Sequence, residues 1–106
     1  MTAKVFFERR ELRTILLIYG RMVSAGEWRD YAIDALEDRA VFSIFRRASE
    51  RPLFQIEKRP AAQRTGLYVV ATGDGAILRR GQDIEEVLKV LEPRKLRLIG
   101  ARLSPA

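Results

Sequence analysis

Four pairs of adjacent basic residues mark the second part of the chain: Arg46-Arg47, Lys58-Arg59, Arg79-Arg80 and Arg94-Lys95. Arg64 stands between the second and third pairs. A guanidinium offers paired N–H donors that match phosphate or carboxylate oxygens, so clustered arginines could form an anion site or a nucleic-acid surface. Asp30 and Asp34, four residues apart, are the one carboxylate pair whose spacing invites acid–base chemistry. Gly73-Asp74-Gly75 invites a phosphate-loop reading, because glycine lets backbone N–H groups close on an anion.

Each idea depends on the element that carries it. If the Asp30–Asp34 segment is a strand, the two residues lie about 13 Å apart at about 3.3 Å per residue. Paired glycosidic carboxyls need about 5–9.5 Å, so only a helix would keep that idea alive. A phosphate loop must run from a strand into a helix N-terminus. Here the glycines lead into the apolar run Ala76-Ile77-Leu78, and a β-hairpin turn is the better reading. Glu37 and Asp38 alone offer too few converging oxygens for a divalent cation.

The absences are as informative. There is no histidine, which removes the commonest general base and metal ligand, and no cysteine, which removes thiolate chemistry and disulfides. Ser–His and Cys–His nucleophile pairs are therefore impossible. No serine lies in a Gly-x-Ser-x-Gly elbow or a Ser-x-x-Lys spacing. No catalytic residue, metal site or cofactor is expected, and the chain does not read as an enzyme.

Leu12, Ile15, Leu16, Tyr19, Met22 and Val23 recur with helical period, and Glu8 with Glu11 three residues on can cap the start. The spacing predicts a helix over 8–25, with Gly26 as its stop. Residues 28–36 fit either a helical face or an alternating strand. As a helix they would stack Glu27, Asp30, Asp34 and Asp38 at like-charge spacing, which favours a strand. Val41–Phe45, Leu53–Ile56, Leu67–Ala71 and Ala76–Leu78 read as further strands. Pro60–Gly66 reads as the loosest loop. Asp83 with Glu86 caps a second helix with Ile84, Val87, Leu88 and Leu91 on one face, and Leu96–Ile99 reads as a last strand. The expectation is one α+β domain over 1–106: a largely antiparallel meander of five to six strands with an N-terminal and a C-terminal helix, in the order α-β-β-β-β-β-α-β.

Several runs carry a resemblance. They are Phe7-Glu8-Arg9-Arg10-Glu11-Leu12, Tyr19-Gly20-Arg21-Met22-Val23, Gly26–Asp34, Ala40–Glu50 and Ile56-Glu57-Lys58-Arg59-Pro60. With Leu88-Lys89-Val90-Leu91 and the closing strand, they resemble a family of small bacterial proteins catalogued only as a domain of unknown function. The resemblance covers nearly the whole chain. It implies a stand-alone cytoplasmic protein and brings no activity or site residues with it.

The composition suits a folded domain: 106 residues, 47% hydrophobic and 32% charged. No apolar run approaches the length of about 18 residues that spans a membrane, and the start reaches charge too soon for a signal peptide. By elimination the expected location is the cytoplasm. The net charge of +6 lies wholly after residue 45, and all but four of the twenty basic residues are Arg. Basicity favours an anionic partner without naming one.

In a meander, alternate strand ends share one edge. Lys58, Arg59, Arg64, Arg79 and Arg80 are therefore expected together, with Arg46 and Arg47 at the opposite edge. These seven are the candidate anion or nucleic-acid residues. The competing expectation is that they pair with Glu50 and Glu57 and guard the sheet edges. Nucleic acid would also want exposed aromatics between the charges, and Tyr68, the nearby one, is expected to pack. Trp28 and Phe6-Phe7 read first as core or interface residues, and their exposure would point to self-association. The favoured function is a non-catalytic protein-interaction or regulatory domain that self-associates. The alternative is a nucleic-acid-binding module using the arginine-rich edge.

Overall fold

A computed structural model describes residues 3–47 and 51–92. The expected last strand, the Arg94-Lys95 doublet and Glu50 lie outside the described residues. Helix α1 spans Arg9–Ser24. The Glu11 carboxylate accepts the Glu8 backbone N–H at 2.6 Å, the expected capping contact. At the other end Gly26 has φ +77°, a value that favours glycine. Gly26 N–H donates to Val23 C=O and Glu27 N–H to Met22 C=O, which satisfies carbonyls the helix leaves open.

Five strands follow: β1 (Asp30–Ala35), β2 (Ala40–Phe45), β3 (Phe54–Lys58), β4 (Tyr68–Thr72) and β5 (Ile77–Gly81). They pair antiparallel in chain order, so the sheet is a pure meander with β1 and β5 at its edges. The strand reading of 28–36 holds because β1 gains a full ladder with β2, and Tyr31 stacks on Phe42 at 4.9 Å. Asp30 and Asp34 are thus on a strand, too far apart to act as a pair.

The segment 60–66 departs from the loose-loop expectation. Pro60–Ala62 form a 3₁₀ turn that runs into a single-turn helix, α2 (Gln63–Gly66). Pro60 supplies a helical φ where its missing N–H costs nothing, and Arg59 N–H to Leu67 C=O at 2.7 Å closes the excursion. Gly66 is required by close approach, since a Cβ there would lie 2.9 Å from the Arg80 Cβ. Gly73, in the β4–β5 hairpin, is tighter still: a Cβ would meet the Pro52 carbonyl oxygen at 1.7 Å.

Helix α3 is shorter than expected, Ile84–Leu88, and tightens to 3₁₀ over Lys89–Leu91. Asp83 caps it by accepting the Glu85 N–H at 3.0 Å. Glu92 is extended, with ψ 141°, the conformation that a following proline imposes.

The register assigns faces. Phe42, Ile56 and Val70 align across β2–β4 and pack with Ile15, Met22, Leu88 and Leu91 into the main core. Full burial of each such side chain contributes about 1.5–3 kcal/mol. Trp28 belongs to this core, as does Phe7, while Phe6 is 65% exposed. The opposite face of the sheet carries Val41, Ser43, Glu57, Val69 and Ala71, which are also buried. No described helix is long and apolar enough to cross a membrane.

Candidate functional site

The strand ends meet as the topology requires: Lys58 lies opposite Tyr68, and Tyr68 opposite Gly81. What happens to the charges there depends on which way each side chain points. Lys58 turns toward α1, where its ammonium donates to Glu11 Oε1 at 2.9 Å and to the Phe6 carbonyl at 3.2 Å. The Tyr68 hydroxyl donates to the other Glu11 oxygen. Glu11 is 1% exposed and sits in the first turn of α1, where the helix dipole favours a negative charge.

Burial drives the Glu11 carboxyl pKa upward. Hydrogen bonds from Tyr68, the Glu8 amide and Lys58, with the Lys58 charge, outweigh that and hold it below the usual carboxylate value. Burial, then the bond to Glu11 and its charge, push the Tyr68 phenol well above its ordinary range. Glu, Lys and Tyr are acid–base side chains, but here they complete one another's hydrogen bonds in the interior and fasten the start of α1 to β3 and β4.

On the opposite face, Glu57 Oε1 accepts a hydrogen bond from Arg59 at 3.0 Å and forms an ion pair with Arg39 at 3.1 Å. Arg79 reaches Glu86 at 3.6 Å, and Lys89 reaches the same carboxylate at 2.7 Å. Of the five basic groups expected at this edge, Lys58, Arg59 and Arg79 therefore each meet a carboxylate. Arg64 and Arg80 are exposed, with no ion pair among the described residues. Arg46 lies at the opposite end, 4.0 Å from Glu27, with Arg47 exposed beside it. Tyr68 is buried, as expected, so no aromatic platform opens between these arginines.

The roles of Glu11 and Glu57 were not anticipated beyond a cap and a surface pair. One signal was available: residue 11 precedes Ile15, Ile18 and Met22 at helical spacing, which puts a charged residue on the buried stripe. Glu57 had no comparable signal, because strand alternation does not say that its face is covered.

Three surfaces remain open among the described residues. Along α1, Leu16 is 39% and Leu17 61% exposed, and with Leu12, Arg9 and Arg13 they line a shallow groove. A second concavity of about 400 Å³ lies between α1 and the α3 end of the chain, lined by Leu17, Ile18, Met22 and Leu91 together with both basic and acidic groups, Arg21 and Lys89 with Glu85 and Glu92. Strand β1 is exposed along nearly its whole length.

A family model described as a protein of unknown function (DUF2794) matches residues 5–88, most of the chain. No curated protein and no solved structure matches it.

Proposed function

The chain belongs to the DUF2794 family of proteins of unknown function, and from that premise we propose that it is a non-catalytic protein-interaction domain that associates with a second copy of itself. The observation that supports this reading is the apolar character of the outer side of α1. Leu16 and Leu17 stand exposed along the helix beyond Arg9 and Arg13, and Phe6 is exposed just before the helix. A helix covering a small sheet needs one apolar stripe, and α1 carries apolar residues beyond it. Covering the part of Leu17 that is still exposed contributes about 1–2 kcal/mol.

Sedimentation of the full chain at micromolar concentration tests the reading. A concentration-dependent dimer is expected, and Leu16→Glu/Leu17→Glu should return it to monomer with the fold intact. A monomer at every concentration would remove self-association.

A second reading, a nucleic-acid-binding module, has one observation in its favour. Helix α2, which carries Arg64, packs against β5, which carries the exposed Arg80. Phosphate contacts predict binding at low salt that falls steeply as salt rises and drops with Arg79→Glu/Arg80→Glu. Absence of binding at low salt would end this reading.

A further inference from the structure

Strand β1 is an edge of the sheet among the described residues, and its hydrogen-bonding groups divide between the two sides. Leu36 N–H donates to Arg39 C=O at 2.9 Å across the β1–β2 turn. An antiparallel ladder bonds every second residue, so Asp34, Ala32 and Asp30 share that inward set. The N–H and C=O groups of Tyr31, Ile33 and Ala35 then point outward. Consistent with this, the Tyr31 N–H is taken by its neighbour's carboxylate, Asp30 Oδ1, at 2.8 Å. Among the described residues β2 is the only strand beside β1, and no described strand meets the outward groups of Ile33 and Ala35.

The side chains along this edge sort by face. Toward the helices lie Tyr31, 41% exposed, and Ile33, 46% exposed. Tyr31 meets Tyr19 of α1 at 4.9 Å, so the apolar strip continues from strand to helix. On the other face lie Asp30 and Asp34, exposed and with no ion pair among the described residues. Natural edges are commonly guarded by lysine, proline or a bulge. This one has two carboxylates without an ion pair among the described residues on one face and two half-exposed apolar side chains on the other.

A second β1 is the wrong occupant. In a two-fold pairing centred on Ala32, Asp30 of one copy lies directly opposite Asp34 of the other. Centred on Ile33, the two Asp34 residues become diagonal neighbours on one face. Like charges so placed disfavour pairing.

We propose that the β1 edge accepts, as a sixth strand, an extended peptide segment in which apolar residues alternate with Lys or Arg. The apolar residues cover Tyr31 and Ile33, the basic residues meet Asp30 and Asp34, and the backbone bonds Ile33 and Ala35. The inference rests on the reading of the chain as an interaction domain and names the partner of one edge.

The test uses the full chain and short capped peptides in fluorescence anisotropy: alternating Leu-Arg, alternating Leu-Glu and alternating Gly-Arg. The Leu-Arg peptide is expected to bind, and the other two to bind much more weakly. Asp30→Lys/Asp34→Lys should weaken the Leu-Arg peptide about tenfold and bring the Leu-Glu peptide to comparable affinity. Ile33→Pro removes an outward N–H while sparing the bonds to β2, and should abolish binding in a variant whose circular dichroism is unchanged. Equal binding of the Leu-Arg and Leu-Glu peptides, or no response to the aspartate reversal, overturns the proposal. Peptide binding by a chain that sediments as a monomer removes self-association alone. A self-associating chain that ignores all three peptides removes this edge alone.

Discussion

Glu11 and Glu57 are both buried carboxylates at the same end of the sheet, yet they stand in unlike surroundings. Glu11 lies on the helix side, where a mostly buried Lys58, a buried Tyr68 and a backbone amide converge on it. Glu57 lies on the other face beneath two arginines, Arg39 and Arg59, that both reach solvent. Their strand partners are adjacent in sequence: Lys58 serves one carboxylate and Arg59 flanks the other. What separates them is the water available to their partners. A charge pair sealed from water loses its compensation when one member goes, whereas an exposed guanidinium is rehydrated.

The largest expected effect follows from that difference. Glu11→Ala leaves the buried Tyr68 hydroxyl without its acceptor and the mostly buried Lys58 ammonium with the Phe6 carbonyl but no counter-charge, and should cost about 3–5 kcal/mol by urea denaturation. Glu11→Gln, which keeps an acceptor, should recover part of the loss. A cost under about 1 kcal/mol for Glu11→Ala would mean that water replaces the carboxylate, and the contrast between the two faces would collapse.

Acid provides the next probe. In the folded protein the Glu11 carboxyl is held below its ordinary value of 4.5. The unfolded chain therefore takes up the proton first as pH falls. The stabilisation is fully present above that ordinary value and is lost as pH drops through the lower, folded one. Thermal melts of the native chain and of Glu11→Gln should run parallel at neutral pH and converge below pH 4.5. Curves that stay parallel into acid would show that Glu11 contributes no such linkage.

The smallest effect is expected at Glu57. Glu57→Gln should cost about 1 kcal/mol or less, and the loss should shrink further in high salt, because both arginine partners are partly solvated. A penalty equal to that of Glu11→Gln would mean that the two faces are equally sealed. The two substitutions should also combine additively, since their partners are separate and point to opposite faces.

Much of this arrangement can be read from residue order. The stripe from Leu12 to Val23, the Glu8–Glu11 cap and Gly26 locate α1 within a residue at each end, because capping and period are local properties. The glycines at 73 and 75 mark the hairpin for the same reason, and the charge spacing of Glu27, Asp30, Asp34 and Asp38 identifies β1. Pro60–Gly66 was less legible. Its composition reads as a loop, and its helical turn depends on packing against Arg80 and Gly81, distant in sequence.

The candidate site divides along the same line. From the sequence come the basic doublets, the placing of Lys58-Arg59 and Arg79-Arg80 at one sheet edge with Arg46-Arg47 at the other, and the lack of histidine and cysteine, which are consequences of residue type and meander order. Tertiary structure alone decided that Lys58 points inward to Glu11, that Arg59 and Arg39 close over Glu57, and that β1 turns the Ile33 and Ala35 amides away from its described neighbour β2. Alternation along a strand says that neighbours diverge. Which side is buried, and which charge waits there, depends on contacts between residues nearly fifty positions apart, such as Lys58 with Glu11.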